Sequence, residues 1–335
     1  MIELDDIFLD SFTGLLDTVS DHGAIRAVEA GGSTAAIWEA VQESGFVDAL
    51  LPEDDGGAGF DTATVVPLVN AAGERLLPVA FAQTMVARML AARAGAELGV
   101  DGAVTLWPLS EEGTLRSQVA PAAWEAGHAL VQQGHQFTVR PLVVGKQRDG
   151  FGYIPAELDM GAEPLASFTL DGVDLLDWAS AITALLIAGA CNKVLAMTID
   201  YLNERKQFGR ALSKFQAIQH NCAVMAEHAV IAATAARIGF TADDGNLSTL
   251  RVAMARSVTF DAAAQISALA HAGFAAIGIT EEYDLQLYVR ALKRWQISFG
   301  SDSFWARKLG QARIAGTYDT SADFIRDRLA PEPVA

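Results

Sequence analysis

Between Asn203 and His220 the chain reads NERKQFGRALSKFQAIQH, which combines the end of one helix, a tight turn and the start of another. An apolar helical pattern runs into Tyr201–Arg205, and Gly209 is the type of residue that ends a helix at the C′ position. Arg205 and Arg210 flank the Gln-Phe-Gly turn. They present two cations on a rigid element, which suits a pyrophosphate. The alternative is that Arg205 only caps the carbonyl groups at the helix end.

Long helical patterns lie on both sides of this turn. Toward the C-terminus they cover roughly 175–204, 212–240, 244–273, 284–297 and 303–329. Long helices joined by short loops pack as antiparallel neighbours, so these residues predict a helical bundle. In the N-terminal part an apolar stripe from Phe8 to Leu16 and a continuous pattern over 62–98 predict further helices. The Gly- and Pro-containing stretch LPEDDGGAGF (Leu51–Phe60) separates them.

The residues between these two helical parts have a different pattern. HALVQQ, HQFTVRPLVV and ASFTLDGV are short, alternating or β-branched, and Gly and Pro separate them. The prediction is therefore a mainly α protein with a small β domain. The N-terminal α-helical domain covers 1–102, the middle β domain 103–172 and the C-terminal α-helical bundle 173–330. No strand precedes a GxGxxG motif, which excludes a Rossmann site.

Composition and charge exclude several classes of protein. The net charge is −17 and no run of four basic residues occurs, which argues against a nucleic-acid partner. Cys191 and Cys222 lie in apolar helical patterns without metal-ligand spacing, so buried free thiols and no metal are expected. The acidic start MIELDDIFLD lacks the basic region of a signal peptide. The longest apolar run, Ala184–Cys191, is too short for a membrane span, which predicts a cytoplasmic protein.

Four motifs together resemble the acyl-CoA dehydrogenase family and span nearly the whole chain. LPEDDGGAGF resembles a loop between the family's early helices, and GERLLPVAFAQT (Gly73–Thr84) resembles the segment that follows. The Asn203–His220 stretch closely matches the family's "RxxFG…FQxxxH" signature. FAAIGITEEYDLQLYVRALK (Phe274–Lys293) resembles its "GGxGfTxEy" segment. The resemblance implies the family's fold: an N-terminal helical bundle, a middle β domain and a C-terminal four-helix bundle.

The resemblance also implies a cofactor and its contacts. Members of the family use FAD, and the Arg and Phe of the signature hold the adenosine-diphosphate half of an FAD bound by a neighbouring subunit. Arg205, Gln207 and Phe208 stand at those positions. In another segment with which the family contacts FAD, Gly278 is the one residue of the family's pattern that this chain retains. These four residues are the predicted cofactor-binding set. The partner it implies is a paralogous acyl-CoA dehydrogenase subunit, in a dimer or heterotetramer, with an acyl-CoA as substrate.

The departures from the family's pattern concern catalysis. The family removes the substrate's α-proton with a Glu at one of two positions, and here Phe299 and Ala179 stand at them. No catalytic residue is therefore predicted, although Asp177 or Asp302 could be a displaced base. Both are more typical of a helix start, and Glu281 and Glu282 are expected to cap a helix.

The β domain departs as well. VTLWPLSEEGTLRSQVAPAAW lacks the family's flavin-ring motifs, and the domain is shorter than is usual. The prediction is thus a non-catalytic subunit, similar to the small partner chains of heteromeric steroid side-chain dehydrogenases, that completes a partner's FAD site. Two alternatives stay open: a self-sufficient enzyme with a relocated base, and a flavin-free acyl-CoA-binding or structural paralogue.

Overall fold

A computed structural model of the chain describes residues 2–109, 126–145 and 156–330. Five helices precede the sheet: α1 (Ile2–Val19), α2 (His22–Glu29), α3 (Ala35–Glu43), α4 (Thr62–Glu74) and α5 (Phe81–Arg93). Side-chain caps set two of the starts, because Asp21 accepts a hydrogen bond from the Ala24 N–H and Asp61 accepts one from the Thr64 N–H. The stretch LPEDDGGAGF interrupts the helices as predicted and contains a short 3-10 helix, Glu53–Asp55.

The single helix predicted over 62–98 is wrong, because the chain forms α4 and α5 with a turn between them. Leu76 lies in this turn with a left-handed φ of 50°. Pro78 cannot donate a backbone hydrogen bond, and its ring would clash with the carbonyl four residues earlier in a continuing helix. The apolar pattern runs through the turn because both helices bury residues in the same core.

The small sheet follows α5. Its strands are β1 (Val104–Pro108), β2 (His128–Gln133), β3 (Gln136–Val144), β4 (Ala156–Leu158) and β5 (Ala166–Thr169). β1 pairs with β2 in parallel, while β3 pairs antiparallel with β2, β4 and β5. Gln132 ties the sheet to the next helix, since its side chain donates to the Val173 carbonyl and accepts from the Leu175 N–H.

The C-terminal bundle contains six helices: α6 (Leu175–Glu204), α7 (Gln216–Phe240), α8 (Thr249–Phe274), α9 (Leu285–Ile297), α10 (Asp302–Ala315) and α11 (Ser321–Arg328). The predicted helix 303–329 is two helices, because the chain leaves helical conformation at Gly316. α6 is the central helix and lies against α4. At Gly189 an added Cβ would stand 2.1 Å from the Asn70 carbonyl oxygen, so only glycine allows this approach.

The order of helices, small sheet and helices is the predicted fold class. One hydrophobic core contains residues of all three parts, from Phe12 in α1 through Phe137 in β3 to Trp305 in α10. The division at 102/103 and 172/173 stays a prediction.

Three helical stretches are long and apolar enough to cross a membrane by length and composition: α6, α7 and Thr249–Ile279, which contains α8. The expectation that no segment reaches this length is wrong, because Asn192 and Lys193 are only brief polar interruptions in a helix of 30 residues. In the fold, 61% of the most apolar window of α6 and 39% of the other two windows are buried inside the protein. Packing in the bundle thus accounts for most of the apolar surface of α6.

Candidate functional site

The predicted cationic turn is a small β-hairpin at the end of α6. Arg205 follows the helix and donates its backbone N–H to the Tyr201 carbonyl. β6 (Lys206–Gln207) then pairs antiparallel with β7 (Arg210–Ala211). Phe208 and Gly209 form the two-residue turn, both with positive φ, 51° and 81°, as hairpin turns of this length require. Gly209 is therefore a hairpin-turn residue, and the prediction that it ends the helix at C′ is wrong.

Three cations on this hairpin are exposed, namely Arg205, Lys206 and Arg210. Within the described part of the chain, none of them forms an ion pair with a carboxylate. The Arg210 guanidinium lies 4.1 Å from the centre of the Phe215 ring, a cation–π contact that orients it. Uncompensated cations on a stiff element of a protein with net charge −17 are suited to an anionic ligand.

The Arg205 side chain does not cap the carbonyl groups at the end of α6, which was the alternative to a ligand-binding role. The backbone N–H of Arg205, and not its guanidinium, bonds the helix end. Among the residues that the structure describes, the guanidinium has no hydrogen-bonding acceptor. Its five N–H donors are thus available to a ligand outside this chain.

Phe208 is at the tip of the hairpin and has 88% of its surface exposed. Among the described residues, its ring forms one aromatic contact, a T-shaped pair with Phe215 whose centroids are 6.2 Å apart. A left-handed backbone costs a non-glycine residue roughly 1–2 kcal/mol, and little burial of the ring offsets that cost here. The side chain therefore fits a contact with a molecule other than this chain.

We expect the variant Phe208→Gly to leave the isolated chain at least as stable as the wild type, by about 0 to 1 kcal/mol, because glycine adopts positive φ without strain. The measurement is the melting temperature of the isolated chain. Phe215→Gly is the matched control, because it removes a partly buried ring at a residue with φ −94° and should destabilise. A clear loss of stability in Phe208→Gly would show that the ring serves the fold of this chain.

Gly278 lies in a short 3-10 helix, Ala275–Ile279, that follows α8. It is buried, and a Cβ there would lie 2.8 Å from the Cβ of Phe274 and 3.2 Å from Leu285. Close packing of this turn therefore requires glycine at 278. The neighbouring Ile279 is 76% exposed, so the turn presents Ile279 to the surroundings and keeps Gly278 inside.

The hairpin and the Gly278 turn lie at the same end of the bundle. Tyr201, one helical turn before Arg205, stacks on Phe274 with ring centroids 4.3 Å apart. Tyr283, which follows the Gly278 turn, packs against both rings at 5.8 and 4.7 Å. The sequence segments that resemble the family's two FAD-contacting regions are thus joined by one aromatic cluster.

The two family positions for the catalytic base also come together in the fold. Ala179 and Phe299 are each 1% exposed and belong to the same hydrophobic core. Ser180, next to Ala179, donates to the Phe299 carbonyl over 3.4 Å. Phe299 has a left-handed φ of 55°, and its carbonyl also accepts from the Trp305 indole. The two positions that the sequence resemblance predicts for the base are thus packed among apolar side chains.

Sequence reasoning missed Arg256, which holds the backbone just before Phe299. Its Nη2 donates to the carbonyls of Trp295, Gln296 and Ser298 at 3.0, 3.4 and 2.8 Å. Complete burial lowers the pKa of Arg256 to about 10. The carbonyl dipoles at the end of α9 favour the cation. A single Arg within the apolar run VAMARSVTF was the signal that could have identified it.

The two carboxylates considered as displaced bases, Asp177 and Asp302, each lie in the first turn of a helix. Asp177 is buried in the first turn of α6 and accepts a hydrogen bond of 2.5 Å from Thr249. The cavity beside it measures about 80 Å³, whereas pockets for small ligands usually hold about 300–1,000 Å³. Asp302 lies in the first turn of α10, where Ser301 is the capping residue.

Other predicted features have mixed outcomes. Glu281 and Glu282 do not cap a helix, because α9 begins after Asp284.

Cys191 is a buried free thiol as predicted, and burial raises its pKa to about 12. Cys222 is free but only half-buried. No cluster that could hold a metal occurs among the described residues. The predicted absence of flavin-ring motifs falls largely on 110–124, which lie outside the described residues.

Comparison with known proteins extends these observations. Residues 173–314 match the family described as the C-terminal domain of acyl-CoA dehydrogenases. The acyl-CoA dehydrogenase FadE34 of Mycobacterium tuberculosis is 27% identical over 296 residues. These residues are 81% of this chain and 41% of FadE34, so this chain spans about two fifths of that relative's length.

Two solved structures share the fold. A chain of the Tcur3481-Tcur3483 steroid ACAD G363A variant superposes with a TM-score of 0.76 at 22% identity, covering 93% of this chain and 100% of that chain. A chain of the ChsE4-ChsE5 complex from Mycobacterium tuberculosis superposes with a TM-score of 0.72 at 17% identity, covering 94% and 98%. At these identities the similarity shows the fold alone.

Proposed function

We propose that this chain, whose residues 173–314 match the C-terminal domain of acyl-CoA dehydrogenases, is one subunit of an FAD-dependent enzyme that desaturates an acyl-CoA thioester between its α and β carbons. It has no catalytic base of its own, and it completes the FAD site of a paralogous partner subunit. The observation that carries this proposal is the contrast between the hairpin that follows α6 and the predicted positions of the catalytic base. The hairpin presents Phe208 and exposed cations that have no carboxylate partner among the described residues, while the predicted base positions Ala179 and Phe299 are apolar and buried.

The chemistry of the hairpin suits the diphosphate part of the cofactor. The planar Arg205 guanidinium can pair with two oxygens of a pyrophosphate, and Phe208 offers an apolar ring beside it. The chemistry that a bound FAD would supply is acceptance of the hydride from the β-carbon. The α-proton needs an anionic acceptor within hydrogen-bonding reach. Since neither residue 179 nor residue 299 is a carboxylate in this chain, the partner subunit supplies that acceptor.

The comparisons support a heteromer. One structural neighbour is a complex of ChsE4 with ChsE5, and another is named for Tcur3481 and Tcur3483 together and described as a steroid ACAD. By analogy we assign this chain to a cytoplasmic dimer or heterotetramer that acts on a lipid- or steroid-derived acyl-CoA. This part of the proposal rests on fold-level analogy.

A self-sufficient enzyme with a relocated base is the second candidate, and Asp177 is the carboxylate nearest to a family position. Its Oδ2 accepts a hydrogen bond from Thr249, and the adjoining cavity is several times too small for an acyl-CoA. A flavin-free paralogue is the third candidate. The hairpin argues against this candidate. Phe208 at its tip is exposed and has a positive φ, and a purely structural role would not maintain a strained residue that packs against little of its own chain.

Flavin content separates the three candidates. The chain is purified alone and co-expressed with its paralogous partner, and the visible flavin absorbance is measured in both preparations. We expect little or no flavin in the isolated chain and a yellow, active complex. An isolated chain with near-stoichiometric flavin and acyl-CoA turnover would instead establish the self-sufficient enzyme. A complex without flavin would establish the flavin-free paralogue.

A further inference from the structure

Helix α2 contacts the segment that follows the Gly278 turn through one charged face. His22, Arg26 and Glu29 are spaced at i, i+4 and i+7 and so lie on one side of the helix. His22 Nδ1 lies 2.6 Å from the Asp284 carboxylate, which Arg26 also pairs with. Arg26 further donates to the Glu281 carbonyl, 3.4 Å away. Two α2 side chains, His22 and Arg26, thus hold this segment.

The same face continues along α9. Glu29 accepts from Arg290 at 2.5 Å and lies 3.7 Å from Arg294. Ile25, between the charged residues, is buried in one cluster with Leu285 and Tyr288. The contact therefore has an apolar centre with ion pairs at both ends, and the charged pairs determine its register.

Both ring nitrogens of His22 lie within hydrogen-bonding distance of an α9 side chain. Nδ1 is 2.6 Å from the Asp284 carboxylate, and Nε2 is 3.0 Å from the Tyr288 hydroxyl. The same hydroxyl donates to the Glu74 carbonyl at the end of α4, 2.9 Å away. Burial raises the pKa of Tyr288, which keeps the hydroxyl protonated. His22 therefore connects α2 to the start of α9 through two contacts.

The charged and titratable groups around His22 come from three helices. They are Asp21 and Arg26 on α2, Asp284 and Tyr288 on α9, and Glu74 with Arg75 at the end of α4. Asp284 lies between the His22 imidazole and the Arg26 guanidinium. Removal of the His22 ring would leave Arg26 as the remaining α2 partner of Asp284 and would remove the contact with Tyr288.

The Gly278 turn lies between this contact and the hairpin. On one side Phe274 and Tyr283 pack on Tyr201, which precedes Arg205. On the other side Glu281 and Asp284 are held by α2. We propose that His22 and Arg26 are positioning residues that fix this turn and the adjoining hairpin in the orientation in which they meet a partner's FAD. This inference rests on the proposed function.

A positioning role and a merely stabilising role predict different changes in FAD affinity and in melting temperature. The side chains of His22, Arg26 and Asp284 are 30–39% exposed, and ion pairs so near to solvent contribute little to global stability. A shift of the turn, in contrast, changes every contact with the cofactor at once. The variants should therefore affect cofactor affinity more than melting temperature.

The test uses the complete heteromer carrying His22→Gln or Asp284→Asn, with FAD titrated into the flavin-depleted complex and followed by flavin fluorescence. We expect about three- to ten-fold weaker FAD binding in both variants, with the melting temperature nearly unchanged. Asp284→Asn removes the same interaction without altering side-chain size, so it keeps the test valid if His22→Gln folds poorly. His135→Gln is the matched control, since His135 pairs with Asp171 in an exposed loop of the sheet.

The comparison of FAD affinity with melting temperature is the readout that a merely structural role would not give, because a loss of packing would lower both together. His135→Gln should leave both unchanged. If Arg205→Ala loses FAD while His22→Gln and Asp284→Asn bind it normally, the positioning role is refuted and the proposed function stands. If all three bind FAD normally, the proposed function fails as well.

Discussion

Arg205→Ala should weaken FAD retention by the heteromer about ten- to a hundred-fold while the subunits still assemble. The reason is the loss of a charge-assisted contact with the pyrophosphate, which is worth roughly 1.5–3 kcal/mol. The guanidinium is exposed and has no acceptor among the described residues of this chain, so its removal costs the isolated subunit little. The measurements are FAD occupancy of the complex and the melting temperature of the same preparation.

Two further variants complete this experiment. Arg205→Lys should recover only part of the affinity, because an ammonium group cannot reproduce the planar, two-pronged contact of a guanidinium. Arg237→Ala is the matched control, since Arg237 is an exposed arginine in the last turn of α7. Should occupancy stay normal in Arg205→Ala while the melting temperature falls, Arg205 is a structural residue and the placement of this hairpin at a flavin is wrong.

Phe299→Ala should destabilise the subunit by about 3–5 kcal/mol, the usual cost of truncating a fully buried aromatic ring. Phe299 is 1% exposed and packs in the main core with Trp305. Phe299→Glu, which restores the family's residue type, should cost at least as much, because it places a carboxylate among apolar side chains. The measurement is the free energy of unfolding of the isolated subunit in denaturant.

Phe304 provides the comparison for Phe299. It lies five residues further on, is 38% exposed, and contacts Trp305 edge-on at 5.0 Å. Phe304→Ala should therefore cost about 1 kcal/mol or less. Equal losses for the two alanine variants would mean that position 299 is not a core position. A stable and catalytically active Phe299→Glu subunit would show that the base site remains open in this chain.

The cofactor end of the molecule was partly predictable from the sequence. Arg205 and Phe208 could be selected because a tight turn between two long helical patterns exposes its residues. The type of turn was not predictable, since Gly209 serves a helix end and a hairpin turn equally well until the pairing of Gln207 with Arg210 is known. The contacts of His22 were also not predictable from the sequence, because its partners Asp284 and Tyr288 lie more than 250 residues further along the chain.

Helical periodicity by itself determined the α6–α9 bundle, because the apolar spacing of a long helix is a local property. The bounds of α6, 175–204, agree with those predicted. Motifs indicated the resemblance to acyl-CoA dehydrogenases in the same way, since each lies in one short segment. The tertiary structure alone decided which charges are compensated: it pairs Arg26 with Asp284, buries Arg256 on backbone carbonyls, and leaves the Arg205 guanidinium exposed. Compensation depends on distances between residues far apart in the chain, which no local pattern records.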